Sequence, residues 1–196
     1  MNTFFFSKLE SEGLASVERW IPTDKNIFQS SLVLMPIHQS VHWSLLVIVN
    51  PGKVKTGETF ILHFDSLKSQ ALHNREVLSK HLFDWLNHHA DNSNQFCPGG
   101  GRGRRPKAFK KQNVSVYSMV VPQQPPENGV DCGVFALKYA EAVLVSRPDK
   151  LDLKMNGMSN AKQVKQFARD NNVFHFDMKD INDFRRLIEM QTTHNR

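Results

Sequence analysis

The sequence predicts one compact domain that mixes β-strands with amphipathic helices, and three observations lead there. At 196 residues the chain can bury one real core and is too short for two comfortable ones. Apolar runs at residues 31–37, 41–49, 60–65 and 114–121 have strand character. Apolar residues at helical spacing mark three longer helices, from Asn74 to about Asp91, from Asp131 to Pro148 and from about Met178 to Met190. No apolar run reaches the ~18 residues a membrane helix needs. The stretch Thr3 to Phe6 is too short for the apolar part of a signal peptide, so neither a span nor a secretion signal is expected.

Two cysteines, Cys97 and Cys132, offer no disulfide framework and no four-cysteine zinc site. That usage suits a reducing compartment, in which a reactive thiol is permitted. No metal and no cofactor is expected. The net charge is +6, from 25 Lys and Arg against 19 Asp and Glu. Arg102, Arg104, Arg105, Lys107, Lys110 and Lys111 supply all of that excess with no acid between Asp91 and Glu127. The basic character therefore belongs to one Gly-rich loop over residues 93–113 and not to an extended nucleic-acid-binding face. The expectation for this loop is a mobile, solvated insertion, with nuclear import or nucleic-acid contact as its alternative use, and Cys97 as an exposed bystander.

In chain order, residues 1–30 read as short helix and turn, a solvated cap on the domain. The first strand, Ser31 to Ile37, contains Pro36 and should therefore end there or lie at a sheet edge. Leu45 to Val49 is unbroken, as in a strand covered on both faces. Asn50, Pro51, Gly52 and Gly57 make the connection to Phe60–Asp65 turn-rich, which suggests an antiparallel hairpin. Setting His42 opposite Asp65 centres its turn between Lys53 and Val54 and brings an imidazole to a carboxylate. Asn74 caps a helix whose Leu78, Leu82, Trp85, Leu86 and His89 share one face. After the basic loop and the strand to Val121 comes Pro122 to Val130, and a helix restarts with Asp131 as N-cap and Cys132 in its first turn. Its expected buried stripe is Ala136, Leu137, Ala140, Val143 and Leu144. A short helix near Ala161 to Arg169 and a last one capped by Asp177 complete the chain.

Cys132 is the candidate nucleophile, because unpaired N–H groups and the positive end of a helix dipole favour thiolate over thiol. Most cysteines in helices are inert packing, so its company decides. His42 can take the thiol proton and return it to a leaving amine, and Asp65 can hold the imidazole tautomer. A glutamine amide from Gln123-Gln124, with the backbone N–H of Cys132, can receive an oxyanion.

The order His42-Trp43, Asp65-Ser66, Gln123-Gln124, Asp131-Cys132-Gly133 resembles the SUMO-specific (sentrin-specific, or ubiquitin-like-specific) cysteine proteases, peptidase family C48. Asn2 to Leu9, Val33 to His38, Val41 to Trp43 and Cys132 to Ala140 are similar to segments of that family in the same order. The resemblance implies an α+β, adenain-like (papain-like superfamily) fold, a mixed central sheet flanked by helices, over residues 1–196. It implies hydrolysis after the C-terminal Gly-Gly of SUMO, with Cys132 as nucleophile, His42 as base, Asp65 as its orienter and Gln124 as oxyanion donor. Trp43 would wall a channel that only glycines can thread, and Gln123, Asp131 and Gly133 would join it in binding substrate. The implied partners are SUMO and SUMO-conjugated proteins, in the nucleus or cytoplasm, for a monomer without membrane attachment.

The chain departs from the family at several points. Six residues, Pro125 to Val130, separate Gln124 from Asp131 where four are usual, which keeps Gln123 as a reserve donor. The hairpin between His42 and Asp65 is long, and the basic loop resembles an insertion. The family's catalytic domains also begin further upstream, with a segment that adds a second tryptophan wall and part of the modifier surface, and this chain is expected to lack it. Two alternatives stay open: a protease for NEDD8 or another ubiquitin-like modifier, and a truncated module that binds a modifier without cutting it.

Overall fold

Five consecutive apolar residues make a stable strand only where both faces are covered, and Leu45 to Val49 dictate the centre of the molecule for that reason. The computed structural model describes residues 2–21, 26–67, 73–91, 108–151, 160–170 and 174–193. In it the run forms most of β2 (His42–Val49), beside β1 (Leu32–Gln39) and β3 (Phe60–Asp65), with β4 (Ser115–Ser118) beyond β3. β1 and β3 are antiparallel to β2, and β4 is parallel to β3, so the sheet is mixed. Leu46 and Ile48 pack with Ile61 in one core, while Leu45, Val47 and Val49 pack with Phe60, Leu62 and Phe64 in another on the opposite face. β1 is an edge strand, where Pro36 is tolerated.

Helices cover both faces, as the expected α+β architecture requires. α1 (Phe5–Glu12) and α2 (Arg75–Asp91) feed the first core through Phe5, Phe6, Leu9, Leu78, Leu82 and Trp85. α3 (Cys132–Ser146), α4 (Asn160–Asp170) and α5 (Met178–Thr193) feed the second through Phe135, Tyr139, Val143, Val164, Ala168 and Ile181. Asn74 caps α2, its Oδ1 accepting from the N–H of Glu76 at 2.8 Å, and Asp177 caps α5 through Lys179 N at 2.8 Å. Asn50 and Gly57, at the two ends of the β2–β3 connection, adopt positive φ of 47° and 75°.

Five expectations are corrected. The N-terminal segment is core and not a solvated cap: Phe5 and Phe6 are fully buried, Phe5 sits edge-on to Trp85 with centroids 5.0 Å apart, and each such ring is worth about 1.5–3 kcal/mol. The β2–β3 register sets Ser44 and not His42 opposite Asp65, which moves the turn centre to between Val54 and Lys55. The buried stripe of α3 is Phe135, Ala136, Tyr139, Ala142 and Val143, because the two aromatic rings occupy the core; Leu137 and Leu144 are 53% and 55% exposed on the other side. The last strand is only four residues, Ser115–Ser118. The end of the basic loop is packed: Phe109 is buried against Phe28, and the Asn87 amide bonds both its N–H (2.9 Å) and its C=O (2.7 Å). The remainder of that loop, with Cys97, Arg102, Arg104, Arg105 and Lys107, lies outside the described residues.

Candidate active site

Strand parity builds the site. With Ser44 opposite Asp65, His42 lies one pleat further on the same face, so His42, Ser44, His63 and Asp65 share one side of the sheet. The missed register therefore leaves the pairing intact: a shift of two residues preserves the face, whereas a shift of one would have reversed it. His42 Nε2–H donates to Asp65 Oδ1 at 2.7 Å, and the same oxygen accepts from the Leu67 N–H at 2.9 Å. Both side chains are buried. Burial alone would push the imidazole pKa down, but the Asp65 carboxylate and the Cys132 sulfur together raise it to about 9. Burial likewise opposes ionisation of Asp65, yet its bonds to His42 and Leu67 hold it below the ordinary carboxylate range.

Cys132 is the first residue of α3, at the positive end of a 15-residue helix. Burial disfavours its thiolate, but His42 and the backbone N–H groups of Trp43 and Gly133 outweigh that and bring its pKa below the usual thiol value. His42 Nδ1, the ring nitrogen left over from the Asp65 bond, is buried without a hydrogen bond of its own. The thiol–imidazole contact is thus looser than a formed hydrogen bond, as is common in a nucleophile–base pair awaiting substrate, and close enough for each group to shift the other.

Behind the pair runs a buried polar chain. His73, delivered by the segment before α2, lies with its ring centroid 4.8 Å from that of His42. Its Nε2–H donates to the Gln39 carbonyl at 3.2 Å, so Nδ1 is an acceptor and takes the Ser44 hydroxyl at 2.6 Å. Ser44 Oγ in turn accepts from His63 Nε2–H at 3.0 Å. Burial lowers the pKa of both outer histidines, that of His63 to about 4, so neither places a charge beside His42 near neutrality. A 370 Å³ cavity lined by Asp65, His63, His73 and Arg75 adjoins this chain. A larger one of 690 Å³ lies along β4 and α4 and touches none of the predicted site residues. Donor atoms of His42, Asp65 and His73 come within 4.8 Å of one another, the only metal-like cluster among the described residues, but Asp65 and both His73 nitrogens are already engaged by protein partners.

The other predicted residues cluster at the same end of the sheet. Trp43 points to the opposite face, stacked on His38 at 4.4 Å, and its indole would lie 3.5 Å from a Cβ placed on Gly133. A side chain larger than alanine at 133 would therefore press on the indole. Gln124 is buried, with Ser66 Oγ–H donating to its Oε1 at 3.3 Å and its Nε2 donating to the Asn128 carbonyl. Gln123 is exposed and holds main chain: its Nε2 donates to the carbonyls of Asp65 and Val121, both at 3.0 Å. Asp131 occupies the N-cap position of α3, but its side chain makes no cap bond, a correction to the expected role. It pairs instead with Asn128 Nδ2 at 2.6 Å and with Arg185 of α5. Ser44, His73, Asn128 and Arg185 went unnoticed in the sequence. Asn128-Gly129 carried a turn signal, while the other three act through long-range contacts with no local signature.

A helix-terminal cysteine beside a carboxylate-held histidine on an α+β scaffold is the arrangement of a cysteine-dependent hydrolase. Residues 1–173 match the Ulp1 protease family, C-terminal catalytic domain, and the chain belongs to that family. It is 31% identical over 148 residues to sentrin-specific protease 2 of Mus musculus, covering 75% of this chain and 21% of that protein. It is 32% identical over 147 residues to sentrin-specific protease 3 of Homo sapiens, again covering 75% and 21%. The chain thus spans about a fifth of the length of these curated relatives. A solved structure of a de-sumoylating protease superposes with a TM-score of 0.65 at 22% identity, over 100% of this chain and 70% of that one, and shares the fold.

Proposed function

We propose that this chain is a catalytic domain that hydrolyses the peptide or isopeptide bond after the C-terminal Gly-Gly of SUMO. The observation that carries the reading is the 2.7 Å His42–Asp65 bond beside a helix-terminal Cys132 whose thiol is shifted toward thiolate, in a chain of the Ulp1 protease family. The Cys132 thiolate pair forms a bond to the glycine carbonyl carbon as the C=O π pair moves onto the oxygen, where the Cys132 N–H and the Gln124 amide receive the charge. Collapse breaks the C–N bond as the His42 imidazolium gives its proton to the leaving amine. Water, deprotonated by His42, then cleaves the thioester and restores the thiolate–imidazolium pair. Asp65 stabilises the cation throughout. The Trp43 indole lying over Gly133 supports a channel that admits residues without side chains. SUMO precursors and conjugates are the proposed partners, met inside the cell.

The purified chain should form a covalent adduct with SUMO bearing a C-terminal vinyl electrophile, and Cys132→Ser should abolish it. Matched NEDD8 and ubiquitin reagents should react far more slowly. Faster labelling by either would reassign the modifier, and a folded chain that labels with none of the three would overturn the protease reading.

A further inference from the structure

Gln124 can receive an oxyanion only if its amide nitrogen, and not its oxygen, faces the site, and only if it stands at a set distance from Cys132. The structure addresses both requirements with one residue. The Asn128 main-chain carbonyl can only accept a hydrogen bond, so the amide end that meets it must be Nε2, and Ser66 Oγ–H takes the Oε1 end at 3.3 Å. Nε2 meets the Asn128 carbonyl closely and the Asn128 Oδ1 only at long range, so the long second bond is the one an oxyanion would replace. The Asn128 side chain ties that carbonyl to the nucleophile's turn. Its Oδ1 accepts from the N–H groups of Val130 and Asp131, both at 3.2 Å, and lies 3.4 Å from Gln124 Nε2; its Nδ2 donates to Asp131 Oδ2 at 2.6 Å. The other Asp131 oxygen is held by Arg185, so α5 braces the turn from outside. Asp131 is immediately followed by Cys132, and its carbonyl starts the α3 hydrogen-bond ladder at Phe135 N (2.9 Å).

Resting on the protease reading above, we infer that Asn128, locked through Asp131 by Arg185, is the positioning residue that sets the Gln124 amide against Cys132. The clamp also accounts for the six-residue connection. The added length of Pro125 to Val130 is folded into a turn, with Asn128 N–H on the Pro125 carbonyl at 2.9 Å, so Gln124 stays buried at the site despite it.

The test is a swap. Asn128→Asp keeps the Oδ1 acceptor but sets a carboxylate against that of Asp131. Combining it with Asp131→Asn restores a donor–acceptor pair with the roles exchanged. On a SUMO precursor, Asn128→Asp should lower kcat by about tenfold or more with KM little changed, the range expected when an oxyanion donor is misplaced. Its rate of Cys132 alkylation by iodoacetamide should stay at the wild-type value, since the nucleophile itself is untouched. The swap should recover most of the lost kcat. By NMR, the Gln124 side-chain amide should show one proton protected from exchange in wild type, unprotected in Asn128→Asp and protected again in the swap. Unchanged kcat and protection in Asn128→Asp, joint loss of kcat and alkylation, or no recovery in the swap would overturn the inference. If wild type leaves the SUMO precursor uncut, the protease reading fails, and the amide protection pattern still decides the positioning claim.

Discussion

His42 and Cys132 shift each other in opposite directions, so their activity window can be written down with its signs. The thiol pKa is lowered and the imidazole pKa is raised to about 9, so the reactive thiolate–imidazolium pair exists between them. On the proposed reading, cleavage of a SUMO precursor should rise along an acid limb below the ordinary thiol range and fall as His42 loses its proton near pH 9. A pH–rate profile with a single rise centred at the usual thiol value would contradict this. Beside His42, the two-residue β1–β2 turn puts both Ser40 (φ 53°) and Val41 (φ 60°) in the left-handed region. Hairpin turns demand that conformation, but a β-branched residue holds it at a cost of about 1–3 kcal/mol. Val41 is 90% exposed, so its side chain offers little packing in return. Val41→Gly should raise stability by about 1 kcal/mol, read from the urea midpoint at unchanged slope. An unchanged or lower midpoint would mean that Val41 is not strained.

Between β4 and α3, Tyr139 acts as a strut. Its hydroxyl donates to the Pro122 carbonyl at 2.6 Å, anchoring the chain just before Gln123 and Gln124, and its burial raises its pKa far above the phenolic norm. Tyr139→Phe should cost about 1 kcal/mol in denaturant unfolding, since it removes one hydrogen bond from a partly buried carbonyl. A variant as stable as wild type would remove the strut from the account. Elements of this kind divide what was legible from what was not. Leu45 to Val49, the Asn74 and Asp177 caps and the helix restart at Cys132 were readable because their signals are local: an unbroken apolar run, a capping side chain, a turn before a periodic stripe. The order of His, Asp, Gln and Cys was readable as a resemblance, and the sheet then joined His42 to Asp65. The face of α3 was misread because Leu137 and Leu144 satisfy helical spacing as well as Phe135 and Tyr139 do, and only the sheet opposite decides which set it accepts. Arg185 reaching Asp131, or Ser44 sitting between two histidines, is a tertiary contact that periodicity cannot report.

At the scale of the whole molecule, two histidines held neutral in the interior set the acid limit of the fold. His63 and His73 have folded pKa values below the ordinary 6.5, so the unfolded chain binds more protons as pH falls below that value. The loss of stability due to these two groups should be absent above about pH 6.5 and grow to on the order of a few kcal/mol toward pH 4. His63→Phe should flatten that decline in thermal melts, and an unaltered decline would place the acid sensitivity elsewhere. His42 works the other way: its raised pKa contributes stability that is present below pH 6.5 and lost as pH climbs through about 9. The same titration tests the pairing itself, in which the histidine held by Asp65 moves the Cys132 thiol toward thiolate. The measurement is the rate of Cys132 alkylation by iodoacetamide against pH, followed by mass spectrometry of the Cys132 peptide, in wild type and His42→Ala. The wild-type rate should climb at lower pH than that of an ordinary thiol, and the curve in His42→Ala should move up toward the ordinary thiol range. Two superimposable curves, both rising at the ordinary thiol pKa, would contradict it.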